Sequence, residues 1–287
     1  MKIRNTFAPK LVSAIALCSA VLASPAMAEE ETKPVTVSGS VGVVSEYRFR
    51  GISQSDRNLA VQGGITVAHE SGVYAGTWGS NLAGWGTFGG SNMELDLIAG
   101  YKTTVGGATI DVGATWYMYP GGFDNTDFIE PYVKVSGTAG PVALTAGVAY
   151  APKQEALGAW YATGADAAAG VYTDEGDKND NLYLWTDAAV GVPNTGLTLK
   201  GHIGYSKGND GLGPFATSVA PTGQYWDWLL GADYAIPGTP LTAGVAYVDT
   251  DITKKKAAYL QPSFSRGQDG FGTIAGAAVI FSLTAAF

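Results

Sequence analysis

Polar and apolar residues alternate along most of this chain beyond residue 34, with a period of two and not the 3.6 of a helix. In Met93-Glu-Leu-Asp-Leu-Ile-Ala-Gly-Tyr101 the odd positions Met93, Leu95, Leu97, Ala99 and Tyr101 are apolar, while Glu94, Asp96 and Lys102 point the other way. The pattern recurs at Ile110, Val112, Ala114, Trp116 and Met118 against Asp111. It recurs again at Trp226, Trp228, Leu230, Ala232 and Tyr234 against Asp227 and Asp233. Each such segment is a strand with one apolar and one wet face. Twelve are predicted, at 35–49, 58–69, 73–79, 92–103, 108–118, 127–136, 142–150, 182–192, 197–205, 224–236, 241–249 and 274–287.

Two kinds of connection alternate between them. Short turns rich in Gly and Pro fall at Glu70 to Gly72, Val105 to Gly107, Gly137 to Pro141, Pro193 to Gly196 and Pro237 to Pro240. Longer, wetter segments fall at 50–57, 80–91, 119–126, 151–181, 206–223 and 250–273. Five short turns on one side and six long loops on the other are what an up-and-down antiparallel β-barrel shows when both chain ends lie on the turn side. The sequence therefore predicts an all-β, transmembrane barrel of about 12 strands, with short periplasmic turns and longer extracellular loops. A soluble β-sandwich has no need of that asymmetry. Aromatic residues fit the same geometry, since Trp116, Tyr119, Tyr150, Trp226, Trp228 and Tyr247 lie near loop ends and Tyr234 near a turn end, as interfacial girdles require.

The two ends of the sequence bear on location. Lys2, Arg4 and Lys10 precede the apolar run Leu11 to Ala23 and then Ala26-Met27-Ala28, so residues 1–28 are expected to be a cleaved signal peptide and 29–287 the barrel. The apolar run is too short to span a bilayer as a helix. The single cysteine, Cys18, leaves with that segment. At the other end Ala275, Ala277, Val279, Phe281, Leu283, Ala285 and Phe287 share one strand face, as in the strand that closes an outer-membrane barrel. The expected location is the outer membrane of a Gram-negative bacterium. The expected partners are its lipid and lipopolysaccharide, and the barrel-assembly machinery acting through Phe281, Leu283 and Phe287.

Charge narrows the function. The chain carries 17 Lys+Arg and 25 Asp+Glu; residues 1–28 hold three of the bases and none of the acids, which leaves 14 against 25, or −11, in the mature protein. Such an acidic chain is a poor nucleic-acid binder. Its 40 glycines are about twice the usual share and suit closely spaced tilted strands. On the strand map the inward groups are Glu46, Arg48, Arg50, Glu94, Asp96, Lys102, Asp111, Glu130, Lys134, Asp187, Lys200, His202, Asp227 and Asp233. They are the pore-lining candidates, costly against lipid and tolerable around water. Either they line a narrow aqueous lumen, or they pair across it and plug it. An open lumen so lined would weakly prefer cations.

Ser45-Glu-Tyr-Arg-Phe-Arg-Gly-Ile-Ser-Gln-Ser55, followed by Ala60-Val-Gln-Gly-Gly64, resembles the opening of the TorF-like family of outer-membrane porins of Gram-negative bacteria. The resemblance implies an outer-membrane barrel with channel activity and supplies no substrate, catalytic residue or ligand residue. The motif places Glu46, Arg48 and Arg50 on one strand face and Val43, Ser45, Tyr47 and Phe49 on the other. The arginines either line a constriction that reads solute charge or anchor loop 50–57 to carboxylates such as Asp56 or Glu94.

Catalysis finds little support. His69, Ser71 and Asn81 superficially resemble the constellation of outer-membrane phospholipases, but Ser71 lies in a tight periplasmic turn, and His202 is the only other histidine. Thr173-Asp-Glu-Gly-Asp-Lys-Asn-Asp-Asn181 clusters acids without regular calcium-loop spacing, and solvated loop is the expected role. Residues 156–171 are the candidate inward-folding plug. No cofactor, metal or enzymatic activity is expected. The function expected is passive passage of small solutes or ions, the alternative a structural or adhesive barrel with a blocked lumen.

Overall fold

The computed structural model describes residues 34–260, 264–265 and 272–287; the expected signal segment 1–28 and part of loop 250–273 lie outside them. In chain order the elements are β1 (Val35–Val44), β2 (Arg48–Phe49), β3 (Ile52–Ser53), β4 (Ala60–His69), β5 (Val73–Asn81), β6 (Met93–Val105) and β7 (Ala108–Met118). There follow β8 (Phe128–Ala139), β9 (Val142–Gln154), the short helix α1 (Gly164–Ala169), β10 (Asn179–Gly191), β11 (Leu197–Lys207), β12 (Gln224–Ala235), β13 (Leu241–Thr250), helix α2 (Lys254–Leu260) and β14 (Ala278–Ala286).

Twelve of these strands close a barrel in the order β1-β14-β13-β12-β11-β10-β9-β8-β7-β6-β5-β4, while β2 and β3 form a separate two-stranded hairpin. Every neighbouring pair is antiparallel, and β1 closes the ring by pairing with both β4 and β14. Strand number, order and the alternation of turns and loops are as the sequence predicts. Among the described residues no helix is long and apolar enough to cross a membrane.

The barrel is inside out relative to a soluble protein. Outward positions carry exposed Val41, Leu97, Ile203, Leu230 and Phe281, while inward Glu94, Asp96, Asp227 and Asp233 are only 1–3% exposed. The turn end is tight: Gly72 has φ +97°, and a Cβ there would lie 2.2 Å from the Lys102 carbonyl oxygen.

Most strand ends shift by a few residues, β9 running on to Gln154 and β10 starting at Asn179, and two of the shifts change which face a residue takes. β1 stops at Val44, not at residue 49, because the chain turns into the barrel; Tyr47, expected on the outer face, is buried, and Phe49 packs edge-on against Tyr117. β14 begins at Ala278, not at 274; Ala275, expected on the outer face, is fully buried, as is Ile274 beside it. In both places the apolar alternation belongs to an interior apolar core. Tyr119 is likewise buried, against Phe88, and does not join a girdle. Trp116, Tyr150, Trp226, Tyr234 and Tyr247 are exposed on the outer wall as expected.

Candidate functional site in the barrel lumen

The lumen has a loop-end half filled by inturned chain and a turn-end half lined by polar side chains. The filling starts with residues 46–55. Arg50 and Gly51, at φ +48° and +78°, form the turn of the hairpin that pairs Arg48 with Ser53 and Phe49 with Ile52. Two left-handed residues match the twist of a tight hairpin, and Gly serves at the second because a Cβ there would lie 2.4 Å from Thr250 Cγ2. The Ser55 hydroxyl accepts from the Tyr47 amide at 2.9 Å, and Gln54 N–H donates to the Tyr47 carbonyl at 2.8 Å. Arg48 donates to Glu46 at 2.7 Å, and to the carbonyls of Gly51 and Gly276 at 2.7 and 2.8 Å.

Arg50 crosses the lumen. Its Nη2 donates to both carboxylate oxygens of Glu130 on β8, at 2.7 and 2.6 Å, with the guanidinium 4.1 Å from the Tyr183 ring centre and 4.7 Å from that of Phe49. β8 lies across the ring from β1, so this clasp ties the hairpin to the opposite wall. The sequence motif therefore anchors its loop as one of the two readings held, but through Glu130. Glu94 instead accepts from the Tyr47 hydroxyl at 2.8 Å.

An apolar core joins the hairpin to the other loops: Ile52 of the hairpin is buried together with Trp85, Trp160, Leu212, Ile252 and Ile274. Tyr161 and Leu212 exchange both backbone hydrogen bonds at 2.8 Å. Burial first, and the neighbouring Tyr172 second, push the Tyr161 phenol up to about 12. A second cluster joins Tyr47, Leu82, Phe88, Tyr119, Phe128 and Leu157. Of the expected plug 156–171, residues 156–161 fold inward while 168–171 are exposed, and the plug is shared with every other long loop. In the acidic stretch, the Asp177 carboxylate accepts from the Ala159 amide at 2.8 Å, so it holds the loop.

Beneath the plug the charged candidates form three groups. Asp111 accepts from the Tyr74 hydroxyl at 2.6 Å and faces Lys134 at 3.3 Å and Lys102 at 3.8 Å; Tyr74 also hydrogen-bonds Tyr132. His202 lies between Asp187, 2.6 Å from Nδ1, and Asp227, 3.1 Å from Nε2, with the Tyr183 hydroxyl 2.9 Å from Nε2. Lys200 donates to both oxygens of Asp233 at 2.7 and 2.8 Å. All fourteen candidates thus point inward or into the plug, Glu46, Arg48 and Arg50 from the hairpin instead of a strand face. Sequence reasoning missed Tyr74, Tyr132 and Tyr183. Their strand parity, shared with Gly76, Lys134 and Asp187, was the available signal. His69 and Ser71 approach within 2.9 Å at the turn end, but Asn81 terminates β5 at the loop end, where it binds the Val61 amide, so the three are not assembled.

Similar solved structures include a porin, at 10% identity and TM-score 0.40 over 88% of this chain and 100% of that one. An anion-selective porin from Comamonas acidovorans matches at 10% identity and TM-score 0.39, over 88% and 99% of the two chains. OmpT of Vibrio cholerae matches at 9% and 0.38, over 90% and 99%. No curated protein matches the sequence. Residues 28–287 match the family described as bacterial protein of unknown function (Gcw_chp), and the chain belongs to that family.

Proposed function

We propose that this protein is an outer-membrane channel of the porin kind, and that small polar solutes pass when its loops part. The observation that carries this reading is the inverted polarity of the closed barrel: aliphatic and aromatic residues outside, paired charges inside. Such a wall suits lipid, and such an interior suits water. Secretion through the 1–28 signal segment and the resemblance of residues 45–64 to TorF-like porins belong to the same reading. The plug favours low conductance. Burying one large apolar side chain contributes about 1.5–3 kcal/mol, so six of them hold the loops with something on the order of 10 kcal/mol.

A second reading, a structural barrel with a permanently blocked lumen, is favoured by the same plug. Single-channel recording on refolded protein in planar bilayers separates the two. Wild type is expected to show small, infrequent openings, and Arg50→Ala, which cuts the clasp, larger or more frequent ones. Silence in both proteins would establish the blocked barrel.

A further inference from the structure

The lumen wall is divided. Every inward charge on the barrel strands comes from the arc β6 to β12: Glu94, Asp96 and Lys102, Asp111, Glu130 and Lys134, Asp187, Lys200 and His202, Asp227 and Asp233. Among the described residues, no inward position of β13, β14, β1, β4 or β5 carries a charge. On β14, β1 and β4 the turn-end half of that second arc is built from small and hydroxyl residues, Ser38, Ser40 and Gly42 on β1, Ser282 and Thr284 on β14, Gly64 and Thr66 on β4, whereas β5 turns Tyr74 and Trp78 inward. The small and hydroxyl residues are partly exposed although their side chains point inward, whereas most of the charged residues opposite are buried.

Side-chain reach explains the difference. Lys, Asp, Tyr and His side chains extend from the β6–β12 arc and satisfy one another: Lys200 with Asp233, His202 with Asp187 and Asp227, Lys102 and Lys134 with Asp111. They fill their own side of the cylinder. The β14–β1–β4 part of the facing arc has short side chains at its turn-end half, and Gly42 leaves room for Thr284, whose Oγ1 would lie 2.8 Å from a Cβ at that position. Short side chains reach least far into the lumen, so the β14–β1–β4 wall is where they occupy the least of it.

We infer that the β14–β1–β4 wall is the solute track, an off-centre aqueous path lined by the hydroxyls of Ser38, Ser40, Thr66, Ser282 and Thr284, and that the solutes it fits are small, uncharged and hydroxyl-bearing. Hydroxyl groups donate and accept, so they exchange hydrogen bonds with a neutral polyol without fixing its charge. The arc opposite holds the charges, many of them in ion pairs, so the hydroxyl wall itself presents no fixed charge to a passing solute. The use of the track for passage rests on the channel reading above; the position of the hydroxyl wall does not.

Single cysteines at Ser40, Thr284 and, as a buried hydroxyl position on the charged arc, Thr115 test it in a Cys18→Ser background. Refolded protein in liposomes would be treated with a negatively charged methanethiosulfonate, with labelling followed by mass and conductance recorded before and after. The expected result is labelling at Ser40→Cys and Thr284→Cys roughly tenfold or more faster than at Thr115→Cys, since access governs thiol reaction. The reaction should reduce glycerol or arabinose flux and shift the reversal potential toward cations at the first two sites only. Equal or faster labelling at Thr115→Cys would overturn the track, as would conductance and flux that respond at Thr115→Cys alone. Track-specific labelling in a protein that neither conducts nor passes either sugar alcohol or sugar would keep the aqueous wall as a blind vestibule and remove the passage reading instead.

Discussion

At the scale of the residue, Arg50 concentrates the constraints of the molecule. It holds a left-handed backbone that costs a non-glycine residue energy, and its side chain compensates by forking onto Glu130 between two aromatic rings. Both partners are about 5% exposed or less, so removing one leaves a charge buried without compensation. Arg50→Ala and Glu130→Ala should each destabilise the folded barrel by about 3–5 kcal/mol, and the double variant by less than the sum. Denaturant titration of the refolded protein checks this. Additive losses would show that the two side chains act independently and that the clasp is incidental. Arg50→Lys should recover only part of the loss, because an ammonium has no planar face to lie against the Tyr183 and Phe49 rings.

At the scale of the element, the seam between β1 and β14 is the short one. Their register runs only from Ser40 opposite Ala286 to Val44 opposite Ser282, whereas β1 pairs with β4 from Val35 to Val44. Extra ties compensate at both ends: Phe287 and Gly39 exchange backbone hydrogen bonds at 3.0 and 2.9 Å, and the Ser45 hydroxyl accepts from the Phe281 amide at 2.9 Å. The Phe287 ring covers Gly39 so closely that a Cβ there would lie 2.5 Å from it. Phe287→Ser should therefore slow barrel closure and lower the heat-modifiable folded fraction on gels, with Gly39→Val producing a similar defect by displacing the ring. Wild-type folding rates in both would remove the seam from the folding account.

At the scale of the whole molecule, the six loops act as one body. Apolar residues from the hairpin, from the β5–β6, β9–β10 and β11–β12 connections, and from both sides of α2 share one core, and the β7–β8 connection adds Tyr119 to a second, so the described parts of the loops brace one another. The arrangement predicts a definite orientation in the membrane, with plug outside and turns in the periplasm. Single cysteines at the exposed Glu175 and Glu70 in the Cys18→Ser background report it on intact cells treated with an impermeant maleimide. Glu175→Cys should label and Glu70→Cys should not; the reverse pattern would invert the barrel and place the plug at the periplasmic face.

The division between sequence and tertiary structure follows the range of the interactions. A strand with unlike faces writes its period into consecutive residues, so twelve strands, their order and the inward parity of residues such as Asp111, Lys200 and Asp227 were legible locally. Gly and Pro marked the turns for the same reason. Alternation could not say whether an apolar face meets the exterior or another part of the chain. For that reason Tyr47 and Ala275 read as outer-wall residues although they belong to the plug. Nor could it choose Glu130 as the partner of Arg50, since 80 residues separate them and only closure of the ring brings β8 opposite β1. The uneven lumen arises the same way: each strand shows only its own short or long side chains, and which arcs face each other is decided when the barrel closes.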